Sequence, residues 1–425
     1  MHTLLIVVFV LAYSAIAFEH PLRVNKSASA LLGAGIMWTI YAVTTGNHHL
    51  VTEQLNENLA ATAQIIFFLL GAMTIVELVD AHDGFEVITS RITTTSQSVL
   101  IVLIGIVTFF LSAMLDNLTT TIVMVSLTKK LLEKHDDRLI FAGVIVIAAN
   151  AGGAWSPIGD VTTTMLWIGG QISSTGVVQS VFLASVADLI IPLIVVSFML
   201  RGKTVGEKSE QNAVKTTTQF ERNLMFIVGL GSLVMVPIFK ETTHLPPFMG
   251  VLGGLGVLWV VGELVHRQKS DEEKQPLTMV HALTKIDMAS IVFFIGILLA
   301  VATLEDSHIL TSLAAWLNRT IGEQSIIVAV IGVISSIIDN VPLVAASMGM
   351  YDIHQFATDN FLWTFLAFCA GTGGSLLIIG SAAGVAAMGL EKINFFWYVK
   401  KISGLAILGY IAGILVFLVQ FRLFN

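Results

Sequence analysis

The chain has 425 residues, of which 55% are hydrophobic and only 12% charged, with a formal charge of −7. A soluble domain of this size cannot hide that much apolar surface, and no basic patch interleaved with aromatics offers a seat for nucleic acid. The single cysteine, Cys369, excludes an intramolecular disulfide.

The first apolar stretch, Leu4 to Ala17, ends in Ala15-Ile16-Ala17, the small-residue pattern of a signal-peptidase site. No Lys or Arg precedes it, and it has a counterpart later in the chain, so it is read as a retained membrane helix. A bilayer-spanning helix needs about 20 predominantly apolar residues. Further apolar segments follow near 29–45, 60–80, 98–132, 138–170 and 177–200. Residues 201–222 form a polar cytoplasmic linker, and a second series runs near 223–240, 246–266, 288–304, 324–350, 361–388 and 402–421. Both series place three simple spans before two long interrupted segments and close on one simple span. Residues 1–200 and 223–425 therefore read as repeats. Individual residues match at a nearly constant spacing. Phe67-Phe68 with Asp80 and His82 correspond to Phe293-Phe294 with Asp306 and His308, Asp116-Asn117 to Asp339-Asn340, and Gly152-Gly153 with Gly159 to Gly373-Gly374 with Gly380.

Positive charge sets the orientation, because cytoplasmic loops collect Lys and Arg. If 98–132 and 324–350 each enter and leave on one face, only Lys240, Arg319 and Arg422 fall on one side, and the remaining basic residues on the other. The basic side is then cytoplasmic, and the two halves insert in opposite senses. The predicted fold is an all-α polytopic membrane protein of two inverted repeats, each with a re-entrant helical hairpin and a broken transmembrane helix. Residues 305–323 are amphipathic and read as a helix lying on the outer surface.

An ionised Asp at a helix centre costs about 2.5–3.5 kcal/mol on insertion scales, so it defaults to a functional or paired role. Asp116 and Asp339 lie midway through the two interrupted segments. Asn117 and Thr119-Thr120 after the first favour a turn, and Pro342 after the second removes a backbone donor. Either Asp could instead serve only as a helix cap. The second pair of interrupted segments carries Asn150, Gly152-Gly153, Ser156, Pro157, Gly159 and Asp160 in one half, and Gly373-Gly374, Ser375 and Gly380-Ser381 in the other. Paired glycines and proline make poor continuous helix. A break in mid-membrane is tolerated only where the backbone is buried or lines a cavity. Freed carbonyls beside carboxylates suit a hard cation.

Asp116-Asn117-Leu-Thr, followed by Gly152-Gly153-Ala-Trp155-Ser156-Pro157-Ile-Gly159-Asp160, resembles the NhaD family of sodium/proton antiporters, as does Glu77-Leu-Val-Asp80-Ala-His82-Asp83. That family sits in a wider superfamily with arsenite carriers and divalent-anion/sodium symporters, whose hairpin tips carry Ser-Asn-Thr triplets in the divalent-anion branch. The resemblance implies an ion site built from Asp116, Asn117, Thr119, Thr120, Asn150, Ser156, Asp160, Asp339, Asn340 and Ser375, with sodium at Asp116 and Asp339. Pro342 stands where Thr119 would be expected, which implies a poorer ligand set in the second half. Asp80, His82 and Asp188 are candidates for a proton path or pH sensing, since His titrates near neutrality; a solvated cluster at Asp80 and His82 is the plain alternative.

These features describe a secondary transporter, not an enzyme. It would exchange cytoplasmic sodium, or lithium, for external protons, with no cofactor, in the inner membrane of a bacterium; a homodimer is compatible with the sequence. No G-x-x-x-x-G-K-[ST] loop is present to couple ATP. The alternative is an anion carrier of the same superfamily for arsenite or a dicarboxylate.

Overall fold

The computed structural model describes the whole chain except residues 18, 90, 91, 93, 206–216, 338 and 425. Half of the predicted linker over 201–222, residues 206–216, therefore lies outside the described residues. Several helices start where a short polar side chain can replace missing backbone partners. Helix α1 spans His2–Ala17, and α2 (Lys26–Thr45) begins under Asn25, whose side chain accepts from the Ser27 amide. It ends at Gly46 in the left-handed region, φ 70°, where glycine carries no Cβ penalty. Helix α3, His48–Ala81, is longer than the predicted 60–80 span: the segment holding His48 and His49, read as a loop, is its first turn.

Each interrupted segment is two short helices. Helix α4 (Gln97–Ser112) gives way to α5 (Asn117–Leu131), and α6 (His135–Ala154) to α7 (Val161–Ile168); α8 (Ser174–Met199) closes the first series. After α9 (Gln219–Thr243), α10 (Pro247–Val265) and α11 (Met288–Asp306) comes α12, Ile309–Thr320. The axis bends by 119° between α12 and α13, Gln324–Ile334, so the amphipathic α12 does not prolong its neighbour. Helices α14 (Asn340–Met350), α15 (Phe361–Gly373), α16 (Ala382–Glu391) and α17 (Gly404–Phe424) complete the chain. Among the described residues, eight helices are long and apolar enough to cross a membrane, or up to nine with the bent pair. The protein is an all-helical, multi-pass membrane protein.

Packing divides the helices into two bodies. In one, α2 lies along α1 and α11, while α3 contacts α9, α10 and α11. In the other, α4 and α5 wrap α6, α8 lies along α17, α13 rests on α15, and α16 joins α5 and α6. Helix α6 is central to the second body: 89% of its most apolar window is buried, against 22% for α9 and α10, which turn most of their surface outward. Helices α14 and α7 pack together in the second body, which meets the first mainly where α14 touches α11 and where α7 touches α3.

The paired glycines act by closeness more than by breaking helix. Gly152 and Gly153 remain inside α6, and a Cβ on Gly152 would sit 2.1 Å from the Phe109 carbonyl oxygen of α4. A Cβ on Gly373 would sit 2.0 Å from the Gly332 oxygen of α13, so both helix pairs depend on backbone approaching backbone. Two hydroxyls lock the same seams: Ser112 donates to Ala149 O at 2.6 Å and Ser335 to Ala370 O at 3.0 Å. The interruptions fall just beyond the glycines, at residues 155–160 and 374–381.

Candidate functional site

Four short helices begin at one place. Asp116 caps α5, its carboxylate accepting from the Thr119 amide at 2.7 Å and the Thr119 hydroxyl at 2.8 Å. Asp160 caps α7 through the Thr162 amide and hydroxyl, both at 2.9 Å. Asp339 caps α14 more loosely, with the Val341 amide at 3.4 Å. Ser381 caps α16, accepting from the Gly384 amide at 3.2 Å.

Two buried side chains tie these starts together. Asp160 accepts from Asn117 Nδ2 at 2.6 Å, and Asn340 Nδ2 lies 3.5 Å from each of its oxygens. Asn117 and Asn340 are the first residues of α5 and α14, so the two predicted tips converge on the Asp160 carboxylate. Asn150 of α6 accepts from Asn117 at 3.0 Å and donates to the Ser375 and Ser381 hydroxyls, each at 2.9 Å. The structure joins both halves in one network. Asp160 is 2% exposed, whereas Asp116 and Asp339 are only partly buried.

The electrostatics follow from the helix starts. Each helix N-terminus carries about half a unit of positive charge and draws anions. Here three of the four ends are already met by protein carboxylates. A free anion would have to enter beside Asp116, Asp160 and Asp339, while a small cation or a proton would find oxygen ligands and compensating charge.

Some expected residues take other roles. Ser156 is buried and donates to Ala113 O at 2.5 Å, fastening the break to the end of α4 instead of facing the network. The Thr120 hydroxyl is buried and has no hydrogen-bond partner among the described residues. Asp80 is exposed at the end of α3. His82 points inward, its Nδ1 2.5 Å from Leu78 O and its ring stacked on His266 at 4.9 Å. Burial pushes its pKa down to about 4, with the His266 and Lys269 charges adding to the effect, so His82 is neutral through the range a near-neutral sensor must report. Asp188 is 2% exposed, its Oδ2 has no hydrogen-bond partner among the described residues, and its backbone lies close against Gly409 of α17. An apolar groove between α4 and α8 is lined by residues such as Val102, Phe110, Phe182 and Ile194, with no carboxylate in its lining. It suits a lipid chain, not a cargo ion.

Two network members were underrated from sequence. Ser381 aligns with Asp160 in the repeat, and that alignment was the available signal. Thr162, two residues after Asp160, is legible as a capping partner only once Asp160 is known to start a helix.

An all-helical membrane protein whose broken helices meet at carboxylates belongs to the class of secondary ion transporters. The sequence matches the CitMHS citrate-transporter family over residues 7–366, and the chain belongs to that family. It is 50% identical to the sodium/proton antiporter 1 of Arabidopsis thaliana over 412 residues, covering 96% of this chain and 71% of that protein. With the sodium/proton antiporter 2 of the same plant it shares 46% identity over 96% of this chain and 97% of the relative. The Na(+)/H(+) antiporter NhaD of Alkalimonas amylolytica is 31% identical across 97% of this chain and 89% of its own length. The motif-level resemblance to NhaD thus extends over nearly the whole chain.

Proposed function

We propose that this protein exchanges cytoplasmic sodium for external protons. The observation that carries the reading is the acidic capping of three helix starts, Asp116, Asp160 and Asp339, within one hydrogen-bonded network. A bare carboxylate is costly in a low-dielectric site, and a cation or a proton relieves that cost equally in charge. Sodium and protons then compete for the same oxygens, and their fluxes are coupled. The relatives named as sodium/proton antiporters support the same chemistry. We further propose that Asp116 and Asp339 alternate between sodium and protons, and that the two halves insert as inverted repeats in an energised membrane such as a bacterial inner membrane. Lithium, with the same charge and a smaller radius, is a second cargo candidate.

The family name favours a second reading, transport of citrate or another anion. Three carboxylates at the helix starts oppose it, since they would repel the cargo. The deciding experiment presets a pH gradient in everted vesicles and adds sodium, lithium, potassium or citrate. Sodium should collapse the gradient and citrate should not; a response to citrate alone would overturn the proposal.

A further inference from the structure

Asp339 has a partner that no repeat relationship supplies. The Lys26 ammonium lies 3.4 Å from Asp339 Oδ2 and 4.5 Å from the centre of the Phe293 ring. Lys26 is the first residue of α2, which belongs to the other helical body, and Phe293 sits on α11 beside it. The pair therefore crosses the boundary between the bodies. Its side chains are 28% and 20% exposed, so ions from water can reach it.

The corresponding place in the first half is apolar. Phe293 matches Phe67, and α10, the counterpart of α2, starts at Pro247 with Phe248 next. Phe67 and Phe248 pack ring to ring at 6.3 Å, with no cation between them. Asp116 instead takes a hydroxyl and an amide from Thr119 within its own helix. In α14, Pro342 removes the equivalent hydroxyl, and Lys26 occupies the vacant side of the carboxylate.

We propose that Lys26 is a tethered counter-ion that holds Asp339 when no sodium is bound, so that sodium enters only by displacing it. This rests on the reading of Asp339 as a sodium ligand. Two monovalent cations at one carboxylate repel each other, so the ammonium and the metal ion exclude one another. The Phe293 face gives the displaced ammonium a nearby seat, since an aromatic ring attracts a cation. Displacement also removes an ionic tie between α2 and the start of α14. Sodium occupancy of the second half and freedom of the two bodies to shift then become one event.

The test uses the purified full-length protein and the wild-type chain first. Lys26 is acylated with a water-soluble amine reagent in sodium chloride or in choline chloride of equal ionic strength, and its modification is followed by mass spectrometry. Sodium should speed modification of Lys26 several-fold. In vesicles, Lys26→Gln should lower the half-saturating sodium concentration about 1.5-fold to fivefold, the range expected of a partly exposed ion pair, and Lys26→Arg should stay near wild type. Unchanged labelling in the wild-type chain, while its sodium-evoked flux persists, overturns the counter-ion and leaves the antiport reading intact, and so does unchanged half-saturation in a folded, inserted Lys26→Gln. Absence of sodium-evoked flux in the wild type overturns the antiport reading itself. Because the labelling needs no variant, a misfolded Lys26→Gln does not block the decision.

Discussion

The two helix starts at Asp116 and Asp339 occupy matching places in the chain and satisfy their carboxylates differently. Asp116 is met from within: Thr119 gives both an amide and a hydroxyl at under 3 Å. Asp339 has one long amide contact and takes its remaining charge from Lys26, far away in sequence and on another body. A carboxylate met by its own helix is preorganised and does not depend on how the bodies lie. One met from across a boundary is sensitive to their relative position. The first half therefore reads as the fixed ion seat and the second as the seat coupled to movement.

The most severe break in this comparison is Asp116→Asn. The amide oxygen can still accept from Thr119, so folding and insertion should survive, while sodium-evoked proton flux should fall to background because nothing remains to ionise. Asp116→Glu should keep part of the flux with altered apparent affinity. Vesicles carrying matched amounts of inserted protein decide it, and wild-type flux in Asp116→Asn would sink the mechanism.

Asp339→Asn should cost less, about tenfold in flux, or about 1.4 kcal/mol. It removes a weaker ligand set and leaves Lys26 without its carboxylate. A loss equal to that of Asp116→Asn would mean the two seats are equivalent after all.

Pro342→Thr sharpens the comparison from the other direction by rebuilding the first half's chemistry in the second. A regained hydroxyl contact worth about 0.5–1 kcal/mol should lower half-saturating sodium about twofold to fivefold. Flux measured against sodium concentration reads this directly, and a rise in half-saturation would show that proline fits this turn for another reason.

The smallest expected effect lies outside the network. His82 is held neutral in the fold, with its pKa pushed down to about 4 against about 6.5 for a free imidazole. Its contribution to stability is complete above about pH 6.5 and is lost as pH falls toward 4, because the unfolded chain gains the proton first. His82→Phe should therefore flatten the fall in thermal stability between pH 7 and pH 4.5 and leave the pH profile of transport between 7 and 9 unchanged. A shifted transport profile would restore His82 as a sensor.

How much of this was legible varied with the range of the interaction. Capping is local, so Asp116 and Asp160 could be singled out beside the breaks they serve. The glycine pairs were visible too, but their reading as helix breakers was incomplete: the nearby carbonyls of Phe109 and Gly332 belong to other helices. Ser156 looked like a ligand because it lies inside the motif, and its bond to Ala113 depends on how α4 packs. His82 looked like a sensor because an imidazole at a predicted membrane edge suggests water, whereas packing against His266 buried it.

The sequence by itself determined the class, the interrupted segments and the acidic character of the centre, because hydropathy, helix-breaking residues and charge are properties of neighbours along the chain. Only the tertiary structure decided that the two halves share one network through Asn150 and Asp160, and that Lys26 reaches Asp339 across the boundary. Those contacts join residues remote in sequence. Pattern along the chain constrains which groups must find a partner, and packing chooses the partner.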